Sequence, residues 1–262
     1  MEKMHGMASD KDLLDAPAIV WFRNDLRTWD NQALSAAASH KAAVPVYIRE
    51  TGGPARCLGG ARQWWLHHSL SELAVALENL GAPLILLSGD PAELLPQLAD
   101  AVDASAVYWN RRYDPSFRDK DSDLKRALRA KNLAVESYAG QLLHEPSRLR
   151  TGSGSYYKVY GAFWRALEAD LDQQRPLDAP KSLNPVSQSR MPESETLADW
   201  ALLPTKPDWA GGLAETWTPG EAGAQARLED FLETRLRGYS DRRDLPGIES
   251  TSGLSPHLAN GE

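Results

Sequence analysis

The sequence has little of what disulfide-rich, membrane-spanning or secreted proteins need. Among 262 residues there is one cysteine, Cys57, which excludes an internal disulfide and a thiolate metal site. No apolar run approaches the ~18 residues of a membrane helix. Residues 1–16 are polar and mixed in charge, so they lack the apolar segment of a secretory signal. We therefore predict a disordered leader at residues 1–16 of a cytoplasmic protein without a membrane partner.

Several common site motifs are also missing. The turn Arg23–Arg27 contains no glycine, so the G-x-G-x-x-G dinucleotide motif is absent, and no Walker loop or G-x-S-x-G elbow occurs. None of the six histidines has metal-ligand spacing, so we predict no metal site. The net charge of −7 gives no support for nucleic-acid binding through bulk charge. These absences disfavour a standard NAD or ATP enzyme and a metalloenzyme.

A regular alternation of apolar runs and helical patterns is present instead. The clearest helix has leucines spaced by three and four residues from Leu66 to Leu80, which places them on one face. The predicted strands are 18–22, 43–48, 84–87, 105–109 and 133–138. This α/β alternation predicts a five-stranded doubly wound parallel sheet. Ligands of such sheets bind outside the carboxyl ends of the strands.

The pattern changes beyond residue 142. We predict a helix over 157–171, a proline-rich linker laid over a surface at 175–215, and another helix over 221–238. Thr251 and Ser252 are N-cap candidates for a final helix that ends near residue 259. Because so short a helix has little to pack against, we expect the chain to be a fragment that stops inside a domain.

The hydroxyls and backbone N–H groups of Thr251–Ser255 also suit an anion. A helix start presents free N–H groups, and the helix dipole favours a phosphate there. Serine and threonine cap many helices that bind no ligand, so the local pattern alone favours a plain cap.

Several blocks of the sequence together resemble the photolyase/cryptochrome family. They are Ile19–Arg27, Gln141–Pro146, Tyr157–Trp164 and Trp217–Leu258. The resemblance implies an α/β antenna domain at 17–145 and an inter-domain helix and linker at 146–220. It also implies that 221–262 is the truncated start of an all-α FAD-binding domain.

The resemblance implies FAD as the reactive cofactor. The residues that match the family's FAD-phosphate contacts are Tyr239, Thr251, Ser252, Gly253, Leu254 and Ser255. For the α/β domain it implies an antenna chromophore, methenyltetrahydrofolate, with a deazaflavin or FMN as alternatives. By the carboxyl-edge rule, its candidate contacts are Asn110, Arg111, Tyr113 and Asp114. The Asn-Glu pair that grips folate in some members falls at Ser116–Phe117, so that binding mode is not expected.

The implied activity is that of a deoxyribodipyrimidine photolyase. Reduced FAD donates an electron to a cyclobutane pyrimidine dimer flipped out of UV-damaged DNA. We expect a monomeric parent protein, no catalytic residue within these 262 residues, and no repair by this chain alone. Two alternatives stay open: a cryptochrome-type blue-light photoreceptor and a free-standing nucleotide-binding α/β module. The segment Tyr239–Leu258 argues against the module, which has no use for flavin-phosphate contacts.

Overall fold

The fold is described by a computed structural model that covers residues 13–51, 58–171 and 175–262. Cys57 and residues 1–12 of the predicted leader lie outside these ranges. Residues 13–16 of that leader lie against the folded domain, since the carbonyl of Leu14 accepts a hydrogen bond of 2.7 Å from the backbone N–H of Lys41. The described part of the predicted leader is therefore attached to the domain.

Parallel strands form one sheet in the order β3-β2-β1-β4-β5, which confirms the predicted five-stranded fold. The strands are β1 (Ala18–Phe22), β2 (Ala43–Glu50), β3 (Ile85–Gly89), β4 (Ala106–Asn110) and β5 (Ala134–Tyr138). Every residue of β1 is buried, because helices cover both faces of the sheet. The chain order changes direction between β1 and β4, so a crevice lies outside the carboxyl ends of these two strands.

Helices pack on the two faces of this sheet. They are α1 (Gln32–Ala38), α2 (Gly60–Leu80), α3 (Pro91–Val102) and α4 (Pro115–Ala130). Leu70 of α2 belongs to the core on the face that holds Val20. Leu95 of α3 and Leu128 of α4 belong to the core on the opposite face, beside Ile19.

The chain beyond β5 contains short helices joined by irregular segments. They are α5 (Tyr160–Asp170), α6 (Gly211–Thr216), α7 (Glu221–Asp230), α8 (Tyr239–Arg242) and α9 (Ser255–Asn260). The predicted helix 221–238 is interrupted, because a π-helical turn and a 3-10 turn follow α7. The predicted linker does lie over the sheet. Glu195 donates its backbone N–H to the carbonyl of Leu86 at 2.9 Å and so covers the edge strand β3.

Candidate functional site

Buried polar side chains fill the crevice between the carboxyl ends of β1 and β4. Asp25 accepts hydrogen bonds from the backbone N–H of Arg23 at 2.6 Å and from Nδ2 of Asn110 at 2.7 Å. The same amide of Asn110 donates to Oδ1 of Asn31 at 2.9 Å. Burial raises the pKa of Asp25 above its ordinary value, although both hydrogen bonds act in the opposite direction. This network closes the crevice, and Asn110 links the two strands within it.

Arg111 and Tyr113, two of the predicted antenna contacts, meet on one carboxylate. Nη2 of Arg111 donates to Oε2 of Glu145 at 2.7 Å, and the hydroxyl of Tyr113 donates to the same oxygen at 3.0 Å. Asp114 is exposed at the start of α4. The structure therefore brings Arg111 and Tyr113 together, while Asn110 and Asp114 lie in other surroundings.

A cavity of about 290 Å³ lies next to this loop, between α3 and α4. Its wall includes Trp21, Glu50, Arg112 and Asp121. Arg112 pairs with Glu50, and its guanidinium carbon lies 5.7 Å from the ring centre of Trp21. Asp121 accepts two hydrogen bonds from Nη1 of Arg23, at 2.8 and 2.9 Å. The indole Nε1 of Trp21 is buried without a hydrogen-bond partner among the described residues, and the Trp21 side chain forms part of the cavity wall.

The predicted FAD-phosphate residues Thr251–Ser255, here named the 251–255 turn, lie beside two arginines. Nη1 of Arg235 donates to the carbonyl of Thr251 at 3.4 Å. Arg227 approaches Gly253 so closely that a Cβ there would come within 2.6 Å of its Nη1. Gly253 has a φ of +64°, in the left-handed region that glycine adopts readily. The turn is therefore tight and lies against the guanidinium of Arg227, whereas the guanidinium of Arg235 also forms an ion pair with Asp230.

The start of α9 differs from the prediction. The sequence predicts Thr251 and Ser252 as caps of this helix. In the structure the helix begins only at Ser255, and the N-cap residue, Leu254, makes no side-chain cap. The left-handed Gly253 separates the two hydroxyls from the first helical turn. The expected caps are therefore wrong, although the five predicted residues do form one turn.

Tyr239 lies at the start of α8 with a partly exposed ring. The ring meets that of Phe231 edge to face at 5.7 Å, and the guanidinium of Arg243 lies 5.9 Å from its centre. Ser250, directly before the 251–255 turn, donates its hydroxyl to the carbonyl of Arg242 in α8 at 2.7 Å. This hydrogen bond holds the helix of Tyr239 and the 251–255 turn together.

The residues after this turn pack on α2. Nδ1 of the buried His257 lies 2.6 Å from Oε2 of Glu262. The other oxygen of Glu262 accepts hydrogen bonds from Nε1 of Trp65, at 2.9 Å, and from the hydroxyl of Ser69. The expectation that this last helix has little to pack against is therefore wrong.

A protein-family model described as DNA photolyase matches residues 18–181. The match includes the whole sheet, the helices on both faces, α5 and the first part of the linker. The chain belongs to the DNA photolyase family.

Relatives in the photolyase family extend the similarity over nearly the whole chain. A deoxyribodipyrimidine photo-lyase of Agrobacterium fabrum is 53% identical over 252 residues, which are 95% of this chain and 52% of that protein. Cryptochrome-1 of Arabidopsis thaliana is 34% identical over 251 residues, 94% of this chain and 36% of its own length. A crystal structure of a class III photolyase from Agrobacterium tumefaciens superposes with a TM-score of 0.89 at 50% identity, covering 100% of this chain and 52% of that one. The chain spans about half the length of the photolyases it matches.

The sequence did not predict three residues of these photolyase-family sites: Glu50, Asp121 and Arg227. Glu50 ends β2, so the carboxyl-edge rule could have identified it. Asp121 lies within α4 and Arg227 within α7, where each resembles any other charged residue of an amphipathic helix. Only the tertiary packing brings them to the cavity and to the 251–255 turn.

The described residues of this photolyase-family chain contain neither a membrane span nor a metal cluster. None of its helices there is both long and apolar enough to cross a membrane. No group of three or more histidine, cysteine, aspartate and glutamate side chains in that part of the chain is arranged to hold a metal ion.

Proposed function

We propose that this chain serves in a light-driven photolyase that splits cyclobutane pyrimidine dimers in DNA with an electron from reduced FAD. The observation that carries the proposal is the 251–255 turn beside Arg227, since a guanidinium group next to backbone N–H groups is what a diphosphate needs. The similarity to the Agrobacterium photo-lyase supports the same class of DNA lesion.

The 251–255 turn fits the phosphates of FAD in backbone shape and in charge. Gly253 is left-handed and the next residue, Leu254, is right-handed, a pairing in which successive N–H groups form a concave anion site. The proposed FAD contacts are Tyr239, Thr251, Ser252, Gly253, Leu254 and Ser255. When bound, FAD supplies the light-driven electron chemistry. These residues bind and orient its phosphates, and Arg227 offsets part of the phosphate charge.

We also propose that the antenna chromophore occupies the cavity at Trp21. Four carboxylates line it, against the two cations Arg112 and Lys120. The carboxylates suit the cationic methenyl bridge and the pterin N–H donors of methenyltetrahydrofolate, the chromophore that we propose for this cavity. Arg111 and Tyr113, held by Glu145, fix the loop that forms one side of the cavity.

Absorbance spectra and a repair assay test the proposed function. The complete gene product is expected to purify with FAD and to repair a thymine-dimer oligonucleotide under blue light, whereas the 262-residue chain alone is expected not to repair it. FAD binding without repair would contradict the proposal and favour the cryptochrome-type photoreceptor. A gene product that binds the antenna chromophore but no FAD would favour the free-standing α/β module.

A further inference from the structure

Glu221 is the first residue of α7, yet its carboxylate bonds to a distant part of the chain. Its Oε2 accepts hydrogen bonds of 2.9 Å from the backbone N–H and from the hydroxyl of Thr28. Its Oε1 accepts a hydrogen bond of 2.9 Å from the backbone N–H of Trp29. Hydrogen bonds to a carboxylate are roughly twice as strong as those between neutral groups, so this half-buried side chain is a strong link across 193 positions.

The turn after β1, residues 25–30, is held from inside the α/β domain. Nδ2 of Asn31 donates to the carbonyl of Arg27 at 3.1 Å and to that of Asp25 at 3.2 Å. Oδ1 of Asn31 accepts from the backbone N–H of Leu34 at 3.1 Å and so caps α1. A buried amide that is bonded on both sides makes this turn rigid, so Glu221 bonds to a preformed surface.

α7 has few other contacts that hold its first turn. The helix lies wholly within the described residues, and Ala224 is the one side chain that it buries. Gly220, directly before it, packs on α2, where an added Cβ would come within 2.9 Å of the side chain of Glu72. Among the described hydrogen bonds, those of Glu221 are the ones that join side chains of α7 to the α/β domain.

Arg227 lies on the same helix, six positions after Glu221. At about 1.5 Å per residue, roughly 9 Å of helix separates the two. Nη2 of Arg227 donates to the carbonyl of Thr216 at 3.1 Å, and its Nη1 lies against Gly253 in the 251–255 turn. A helix transmits displacement as a rigid element, so a shift of the first turn of α7 moves this guanidinium away from Gly253.

We propose that Glu221 is a positioning residue for FAD, an inference that rests on the proposed function. Its carboxylate holds α7 on the turn after β1, and α7 places the guanidinium of Arg227 at the 251–255 turn. The turn after β1 also holds the chain beyond the 251–255 turn, since the backbone N–H of Leu26 donates to the carbonyl of Asn260 at 3.1 Å. Both flanks of the proposed FAD segment are thereby fixed to one rigid turn before the cofactor binds.

Equilibrium titration of the complete gene product with FAD tests this role. Glutamine keeps the length of Glu221 but offers one accepting oxygen in place of two, so Glu221→Gln loses at least one of the three hydrogen bonds. We expect FAD affinity to fall about tenfold. Arg227→Gln added to Glu221→Gln should cause little further loss, because both substitutions remove the same contact. Additive losses would show that Glu221 does not act through Arg227 and would overturn the inference.

Glu229→Gln is the matched control, because it removes the same charge from an exposed position of the same helix and should leave FAD affinity unchanged. Thr28→Val removes only the hydroxyl donor and should cause a smaller loss, so it tests the link if Glu221→Gln does not fold. Hydrogen exchange at the amides of Thr28 and Trp29 should become faster in Glu221→Gln but not in Glu229→Gln.

Two outcomes separate this inference from the proposed function. Faster exchange at Thr28 and Trp29 with unchanged FAD affinity in Glu221→Gln would overturn the inference alone. A gene product without substitutions that binds no FAD would overturn the proposed function, and the inference with it.

Discussion

Arg27 and Gly261 are joined by a hydrogen bond of 3.1 Å from Nη1 to the backbone carbonyl, although 234 positions separate them in the sequence. The neighbouring backbone N–H of Leu26 donates to the carbonyl of Asn260 at 3.1 Å. The turn after β1 therefore holds the residues that follow the 251–255 turn. This contact fixes a proposed cofactor segment against the α/β domain.

Gly261→Ala should detach this segment. Gly261 has a φ of +69°, and a Cβ there would come within 2.1 Å of the carbonyl oxygen of Asn24. We expect the free energy of unfolding to fall by about 2 kcal/mol or more, since backbone strain and a clash act together. Hydrogen exchange at the amide of Leu26 should become faster, and urea unfolding measures the stability.

Gly154→Ala is the matched control for this substitution. Gly154 has a φ of +79°, but an added Cβ there meets nothing within 4 Å. It therefore isolates the left-handed strain, which costs about 1–2 kcal/mol. If Gly261→Ala proves no more disruptive than Gly154→Ala, with the amide of Leu26 still protected, the close packing on Asn24 does not hold the segment.

Glu195 should make stability depend on acid pH. Its Oε2 accepts a hydrogen bond of 2.6 Å from the hydroxyl of Ser88, and Nε1 of Trp200 donates to the same oxygen. Burial alone would raise the pKa of Glu195, but these hydrogen bonds outweigh it and hold the pKa below its ordinary value of 4.5. The stabilisation is complete above the unfolded-state pKa and disappears as pH falls through the lower folded-state pKa.

Glu195→Gln should therefore lower the free energy of unfolding at neutral pH, and the difference should shrink below about pH 4. Urea unfolding across this pH range measures it. Glu193→Gln is the control, because Glu193 is exposed two positions away. If the free energy of unfolding of Glu195→Gln differs from that of the unchanged chain by the same amount at every pH, protonation of this carboxylate is not coupled to folding.

The sheet could be predicted from the sequence, whereas most of the site could not. β1 was expected at 18–22 and lies at Ala18–Phe22, because a strand buried on both faces is a continuous apolar run. The caps of α9 were misplaced because the local pattern of hydroxyls does not reveal the left-handed Gly253. The cavity depends on Arg23 meeting Asp121, 98 positions away, and no local pattern encodes that contact.

Ala127→Trp should block the proposed antenna cavity. Ala127 lines the cavity from α4 and is exposed, so an indole there fills the space without removing a charge or a core contact. We expect the affinity for methenyltetrahydrofolate, followed by its absorbance and fluorescence, to fall at least tenfold while the melting temperature is retained. Ala130→Trp, at the exposed end of the same helix, should bind normally. Retained binding in the Ala127 variant would place the chromophore elsewhere.

Arg227→Gln should weaken FAD binding by the gene product. Arg227 lies between the ring of Trp217, 4.3 Å from its guanidinium carbon, and Gly253 of the 251–255 turn. A hydrogen bond to a charged group contributes about 1.5–3 kcal/mol, so equilibrium titration should show an affinity loss of about tenfold or more. The loss should shrink at high salt, because screening weakens the arginine–phosphate attraction in the unchanged protein.

Arg237→Gln removes an exposed cation from the turn after α7 and should leave FAD affinity unchanged. If both variants bind FAD equally, the guanidinium of Arg227 only packs on Trp217, and the phosphates lie away from the 251–255 turn.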